Sequence, residues 1–295
     1  MKMATWFAFF LLIIWTHSFP QSSTASIPFQ LLPDGYILVK AKVDGIEGNF
    51  LFDTGAGMTV FTKTFFDKLN YKVKEDGGYT AFRATGERLD IDLFQVKNFE
   101  LGTYKQPFQE VSYFDFNLSG LDGIISLKLL EQQPFTLDFT KMLIRFESPK
   151  TVAALKKSGY VIPVQPEQSR GKSLDIFAYF KLNDTLTLQL SLDSGAGNDV
   201  FKFNSKYCKQ LGIDVNDTLT VKKYQRKSEM DTAFLSTTYS TKLKKLAAAA
   251  SPAINITNIK AQFVDGLIYD GIMYINWLGS QITIDLPGRQ LVIQK

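Results

Sequence analysis

Asp53-Thr54-Gly55-Ala56-Gly57 recurs later in the chain as Asp193-Ser194-Gly195-Ala196-Gly197. Each copy follows an apolar strand, Phe50-Leu51-Phe52 before the first and Leu188 to Leu192 before the second. An acid at the end of a buried strand is a costly placement, because burial disfavours its charged form. Two copies of so specific a stretch predict two related lobes whose carboxylates meet at the interface between them and share one proton.

The flanking sequence repeats with the pentapeptide. Ile37, Val39, Ala41 and Val43 alternate with Lys40 and Lys42, a half-buried strand. Asp44-Gly45 and Gly48 mark a hairpin turn, and the return strand delivers Asp53. In the second half Leu186, Leu188, Leu190 and Leu192 alternate with Thr187, Gln189 and Ser191 and deliver Asp193. Val60-Phe61 is answered by Val200-Phe201. A short helix capped by Thr62, with Phe65 and Leu69 on one face and Asn70 as its left-handed stop, is answered at Tyr207, Leu211 and Gly212. Thr80-Ala81-Phe82 recurs as Thr232-Ala233-Phe234, and Asp122-Gly123-Ile124 as Asp270-Gly271-Ile272. The hairpin from Phe135 to Phe146 recurs from Ile282 to Ile293. Landmarks kept in one order predict a duplicated lobe.

Between these landmarks, Tyr79 to Ile91 predicts a hairpin bent at Thr85-Gly86, followed by strands over Phe94 to Leu101 and Phe108 to Phe114. Lys242 to Ala250 is the one other helix candidate, or a spacer. The expected fold class is therefore all-β, two related β-rich lobes with a few short helices. The expected division is a signal peptide over 1–25, one lobe over 26–150, a linker over 151–173 and a second lobe over 174–295. The linker is rich in Pro, Gly, Lys and Gln, with a strand expected from Tyr160 to Val164.

Composition narrows the chemistry. Phenylalanine occurs 25 times in 295 residues, enough apolar mass for a core. The net charge is +4 with lysines spread along the chain, which gives no footprint for nucleic acid. Lys2, the apolar run Trp6 to Trp15 and the polar, small stretch His17 to Ala25 read as a secretory leader. Its apolar run is short for a bilayer, so no stable membrane insertion is expected after cleavage; the alternative is an uncleaved amino-terminal anchor. Cys208 is the single cysteine, so no intrachain disulfide forms. The expected location is exported, periplasmic, outer-envelope or secreted, in a bacterium. His17, in the leader, is the single histidine. That removes Ser-His and Cys-His triads and histidine-ligated zinc, and leaves proton transfer to carboxylates.

Two carboxyl groups within hydrogen-bond reach do not both ionise easily. The ionised member takes a proton from water, which attacks a carbonyl, while the protonated member donates to the developing oxyanion. Thr54 and Ser194 can bond the opposite loop, and Gly55 and Gly195 leave room for the partner acid.

At these residues the chain resembles the pepsin and retropepsin superfamily of aspartic proteases, and most closely its bacterial, exported, retropepsin-like branch with both lobes on one chain. The match is Asp-Thr/Ser-Gly-Ala in both halves behind an apolar strand, within a duplicated frame spanning about 27–295. The resemblance implies the acid-protease fold with a central cleft, and peptide-bond hydrolysis on a peptide or protein substrate, by a monomer, without metal or organic cofactor. Carried over, the catalytic pair is Asp53 and Asp193, the interlocking hydroxyls are Thr54 and Ser194 beside Gly55 and Gly195, and Thr85-Gly86 is the flap. Family members often place glycine after the two apolar residues of the later strand. Here Ser126 and Tyr274 stand there. Tyr274 is the larger departure, since its ring must be housed beneath the second loop.

Other residues read more plainly. Asp122, Asp270, Asp138 and Asp285 are turn or hairpin acids, Cys208 is a core residue, and Tyr113-Phe114-Phe116 is a packed edge. Two other functions remain open to the sequence. One is a non-catalytic, aspartic-protease-like peptide-binding module. The other is an actin or sugar-kinase type of phosphate-binding fold, which also uses paired Asp-x-Gly loops but needs helices alternating with strands.

Overall fold

The structure is a computed structural model and describes residues 25–115, 120–228 and 233–294. Residues 1–24 of the expected leader, Phe116 and Thr232 of the repeat lie outside these residues.

The chain is strand-rich, and its duplicated landmarks appear as duplicated strands. In the first half Ile37–Val43 pairs antiparallel with Ile46–Asp53, Ile37 opposite Phe52. Gly123–Ser126 then inserts parallel to Ile46–Asp53, with Ser126 beside Asp53. In the second half Asp175–Leu182 pairs with Leu186–Asp193, and Gly271–Tyr274 lies parallel to it, with Tyr274 beside Asp193. The alternation seen in sequence is the burial pattern: Ile37, Val39, Ala41 and Val43 are buried while Lys40 and Lys42 are exposed. Clusters of phenylalanine fill each half. Phe50 meets Phe65 edge-on at 5.2 Å, and Phe203 lies 5.5 Å from Phe263.

The two terminal hairpins join the halves. Phe135–Asp138 pairs antiparallel with Gln281–Asp285, so that Thr136 faces Thr283 and their hydroxyls lie 2.8 Å apart. Tyr160–Pro163 and Ser26–Leu31 flank this sheet, through Gln290–Gln294 and Leu143–Phe146 respectively. One 13-stranded sheet thus runs from the first lobe into the last strands of the chain, and a second of eight strands builds the other lobe. This rigid base fixes how the two acid-bearing strand ends face each other.

Local expectations meet four differences. Helix α1, Lys63–Lys68, is capped by Thr62 as the sequence predicts, but it ends on an extended Leu69 and Asn70 is not left-handed. Its counterpart is two 3-10 turns, Ser205–Tyr207 and Lys209–Leu211, closed by a left-handed Gly212. Lys242 to Ala248 belongs to the long strand Leu235–Ala248 rather than a helix; Leu243, Leu246 and Ala248 are buried against neighbouring strands on both sides. A second helix, α2, Pro149–Ser158, falls in the segment expected to be linker. Its Ser148 cap, Pro149 at the first turn and Thr151 form a capping box that the composition of the segment concealed. Among the described residues, no helix is long and apolar enough to cross a membrane.

Candidate active site

Asp53 and Asp193 end their strands at the seam between the lobes, and the turns after them lock together. The Thr54 amide donates to Ser194 Oγ at 3.0 Å, and the Ser194 amide donates to Thr54 Oγ1 at 3.0 Å. Each hydroxyl then donates across the seam, Thr54 to the Leu192 carbonyl at 2.7 Å and Ser194 to the Phe52 carbonyl at 3.0 Å. Both side chains are fully buried. These four hydrogen bonds pair both amides and both hydroxyls of the two residues and hold the loops in one register.

The glycines set how close the acids come. The Gly55 amide donates to Asp53 Oδ1 at 2.8 Å and the Gly195 amide to Asp193 Oδ1 at 2.7 Å. A β-carbon on Gly55 would stand 2.4 Å from Asp193 Cγ, and one on Gly195 would stand 2.3 Å from Asp53 Cγ. Each glycine is therefore the floor on which the opposite carboxyl group rests. The two carboxyl groups face each other across the seam, each seated on the opposite loop's glycine, and each acts on the other's ionisation. Burial raises the affinity of Asp53 for its proton, against the pull of the Gly55 amide. Burial raises that of Asp193 further, with the neighbouring Asp53 charge adding to it. The pair keeps one proton well above the ordinary carboxylate range.

Ser126 and Tyr274, the two departures beside the acids, support the loops differently. Ser126 Oγ donates to the Ala56 carbonyl at 2.6 Å, and its amide donates to Thr59 Oγ1 at 3.1 Å. Tyr274 carries its hydroxyl to the Gly35 turn, which also meets Asn198. That hydroxyl accepts from Asn276 Nδ2. The ring is buried, which pushes the phenol up to about 12. The second loop keeps the hydroxyl lock and the amide-to-carboxylate bond of the first.

The hairpin Tyr79–Phe82 and Arg88–Ile91 rises over this seam and turns at Gly86, which adopts φ +86°. Its tip reaches the other lobe. The Ile268 amide donates to the Ala84 carbonyl at 3.0 Å. Arg83 donates to Ser228 Oγ at 2.9 Å, and Ser228 donates to Glu87 at 2.6 Å. At its base, Tyr79 donates to Ser173 Oγ at 3.1 Å. Thr85 and Gly86 form the tip as expected, but the anchoring residues Glu87, Ser228 and Ser173 carried no signal in the sequence. A concavity of about 840 Å³ lies elsewhere, beside Pro134, Ser148 and Pro287, and contains neither aspartate.

Asp122, Asp138, Asp270 and Asp285 are structural. Asp122 accepts from the Asn49 amide at 2.9 Å, Asp138 pairs with Arg145 at 2.5 Å, Asp270 accepts from Tyr207, and Asp285 accepts from the Gly288 amide at 3.0 Å. Burial pushes the Cys208 thiol up to about 11, so it holds its proton at neutral pH. Among the described residues, no cluster of acids, cysteine or histidine is arranged to hold a metal ion.

Residues 39–129, the span that carries Asp53, Ser126 and the flap, match the aspartyl protease family. The match lies within the first lobe and spans about a third of the chain. Together with the two-lobed β fold, this match supports the pepsin and retropepsin superfamily for the chain. The crystal structure of edgp superposes with a TM-score of 0.52 at 9% identity, covering 90% of this chain and 93% of that one, which is a likeness of fold. Basic 7S globulin from soybean gives a TM-score of 0.48 at 10% identity over 90% of this chain and 93% of that one. A retropepsin-like aspartic protease from Rickettsia conorii gives 0.30 at 20% identity, over 41% of this chain and 89% of that one. No curated protein matches the sequence.

Proposed function

We propose that this protein is an aspartic endopeptidase that hydrolyses peptide bonds with water activated by Asp53 and Asp193. The observation that carries the reading is the pair itself: two buried carboxyl groups, each seated on the opposite loop's glycine and held by the reciprocal Thr54–Ser194 lock. With the proton on Asp193, the Asp53 carboxylate takes a proton from water while the water oxygen bonds to the amide carbon. Asp193 gives its proton to the carbonyl oxygen, forming a neutral gem-diol. The carbon–nitrogen bond then breaks, Asp53 returns a proton to the leaving nitrogen, and a diol hydroxyl reprotonates Asp193. The products are a carboxylic acid and an amine, and the pair is restored. The flap closes the site against bulk water, which strengthens these proton transfers.

With Tyr274 beside it, the second loop keeps the amide-to-carboxylate bond and the hydroxyl lock of the first, which supports the catalytic reading over the peptide-binding module. The phosphate-binding fold requires helices between strands, and the described residues contain only α1 and α2 as α-helices. Export is proposed with the function, supported by the leader-like sequence over 1–25.

The test is cleavage of an unstructured protein by the wild type and by Asp53→Asn across acid and neutral pH. Cleavage by the wild type, lowered at least a thousandfold in the variant, supports the reading. Equal inertness of both overturns it and leaves the binding module.

A further inference from the structure

A third acid stands in the cleft and the dyad chemistry does not use it. Asp175 begins the strand Asp175–Leu182, whose register, with Phe177 opposite Ser191, brings it to the end that carries Asp193. Its carboxylate lies against the first loop: a β-carbon on Gly57 would stand 3.5 Å from Asp175 Oδ2. The chain just before it is fixed there, since the Leu174 amide donates to the Gly57 carbonyl at 2.8 Å and Ser173 accepts from the flap's Tyr79 at 3.1 Å. Tyr269 closes another side, its ring edge-on to Phe177 at 5.1 Å.

The lobes differ at this point. At the matching place beside Gly197 stands the Tyr36 hydroxyl, 3.4 Å from where a β-carbon would be. The lock and the dyad repeat faithfully between the lobes, so an acid on one side only serves neither of them. Nor does it serve an internal ion pair. The cations nearest in sequence are committed elsewhere: Arg170 lies over the Tyr79 ring at 5.0 Å and donates to the Gly78 carbonyl, while Lys172 pairs with Glu75 at 2.8 Å and with Glu110. Among the described residues no lysine or arginine pairs with Asp175. Burial, with the charges of two other acids, Glu167 and Asp53, adding to it, pushes its carboxyl up to about 6.

We propose that Asp175 is a specificity-determining residue that receives the lysine or arginine side chain of a peptide substrate at a position flanking the scissile bond. This rests on the peptide-binding cleft of the proposed function. The half-buried Tyr269 ring gives an apolar wall for the side chain's methylene stem, and the carboxylate meets its charged head. A cation there neutralises a part-buried acid and relieves its repulsion with Asp53, a gain that a neutral side chain of the same length does not supply.

The experiment uses paired peptides that carry lysine or norleucine at one position, scanned over three residues on each side of the scissile bond, at pH 7. Hydrolysis by the wild type and binding to Asp53→Asn, read by fluorescence anisotropy, are measured side by side. At one position the lysine peptide is favoured about tenfold or more, the scale of a charge-assisted hydrogen bond. Adding Asp175→Asn brings that ratio to about one, and Asp175→Glu restores most of it, with thermal melting confirming that each variant is folded. A ratio near one at every position, a preference that survives Asp175→Asn, or binding of neither peptide overturns the assignment. A lysine preference in binding that Asp175→Asn removes, with no hydrolysis by the wild type, upholds the assignment and overturns the peptidase reading instead.

Discussion

Thr54 and Ser194 each donate a backbone amide to the other's hydroxyl at 3.0 Å, across the seam between two lobes. Neither residue meets its partner through sequence proximity; the joined terminal hairpins bring them together. The lock is therefore both a stability element and the reference frame for the acids one residue away.

Removing one hydroxyl leaves a buried amide without its acceptor and a buried carbonyl without its donor. Thr54→Ala is expected to cost about 2–4 kcal/mol, and Ser194→Ala a similar amount. Thr54→Ser keeps the hydroxyl and stays close to wild type. Urea unfolding of the three variants checks this, with a drop in midpoint for the two alanines only.

Gly55→Ala and Gly195→Ala act on the opposite lobe. The added methyl group enters the space of Asp193 or Asp53, so the loops separate and the carboxyl groups lose their contact. Both variants are expected to lose peptidase activity by a hundredfold or more, the scale on which catalytic misplacement operates. Steady-state cleavage of one fluorogenic peptide measures it.

Asp175 gives stability a pH dependence. Its carboxyl rises from the ordinary 3.8 to about 6 in the folded chain. A raised pKa means that the folded state holds the proton more tightly than the unfolded state. The resulting stability is fully present below pH 4 and is lost as pH rises through about 6, on the order of 3 kcal/mol for this group. The raised pair Asp53 and Asp193 acts in the same direction. Asp175→Asn is expected to flatten the fall in unfolding free energy between pH 4 and 6, leaving the part due to the dyad.

The flap's latch is open to measurement through one amide. Ile268 donates to the Ala84 carbonyl only while the tip rests on the second lobe. Ser228 bridges Arg83 and Glu87 beside it. Ser228→Ala is expected to raise hydrogen exchange at Ile268 about fivefold or more, from loss of roughly 1 kcal/mol of hydrogen bonding. Unchanged protection would show that the tip holds without this bridge.

The pentapeptides, their strands and the flap turn were legible because each depends on local pattern: period-two burial before an acid, then glycine where no side chain fits. Lys242 to Ala248 misled because its lysines and alanines suit a helix, while pairing on both edges of its strand overrides that preference. Helix α2 was hidden by a Pro and Lys content that reads as linker, although Pro149 sits where proline favours a helix start. The Thr136–Thr283 contact and the placement of Asp175 against Gly57 were not legible. Both arise from tertiary pairing between strands far apart in the chain. Tyr274 looked disruptive in sequence and is accommodated by Asn276 and the Gly35 turn, partners that no motif announces.

The central claim is that Asp53 and Asp193 act as one unit holding a single proton. The pH profile of kcat/KM for one peptide, measured for the wild type, Asp53→Asn and Asp193→Asn, tests it most directly. The account predicts a bell-shaped profile for the wild type, with two apparent ionisations belonging to the pair, and near-equal collapse of activity in both variants. A variant that keeps wild-type activity after either aspartate is replaced would contradict it.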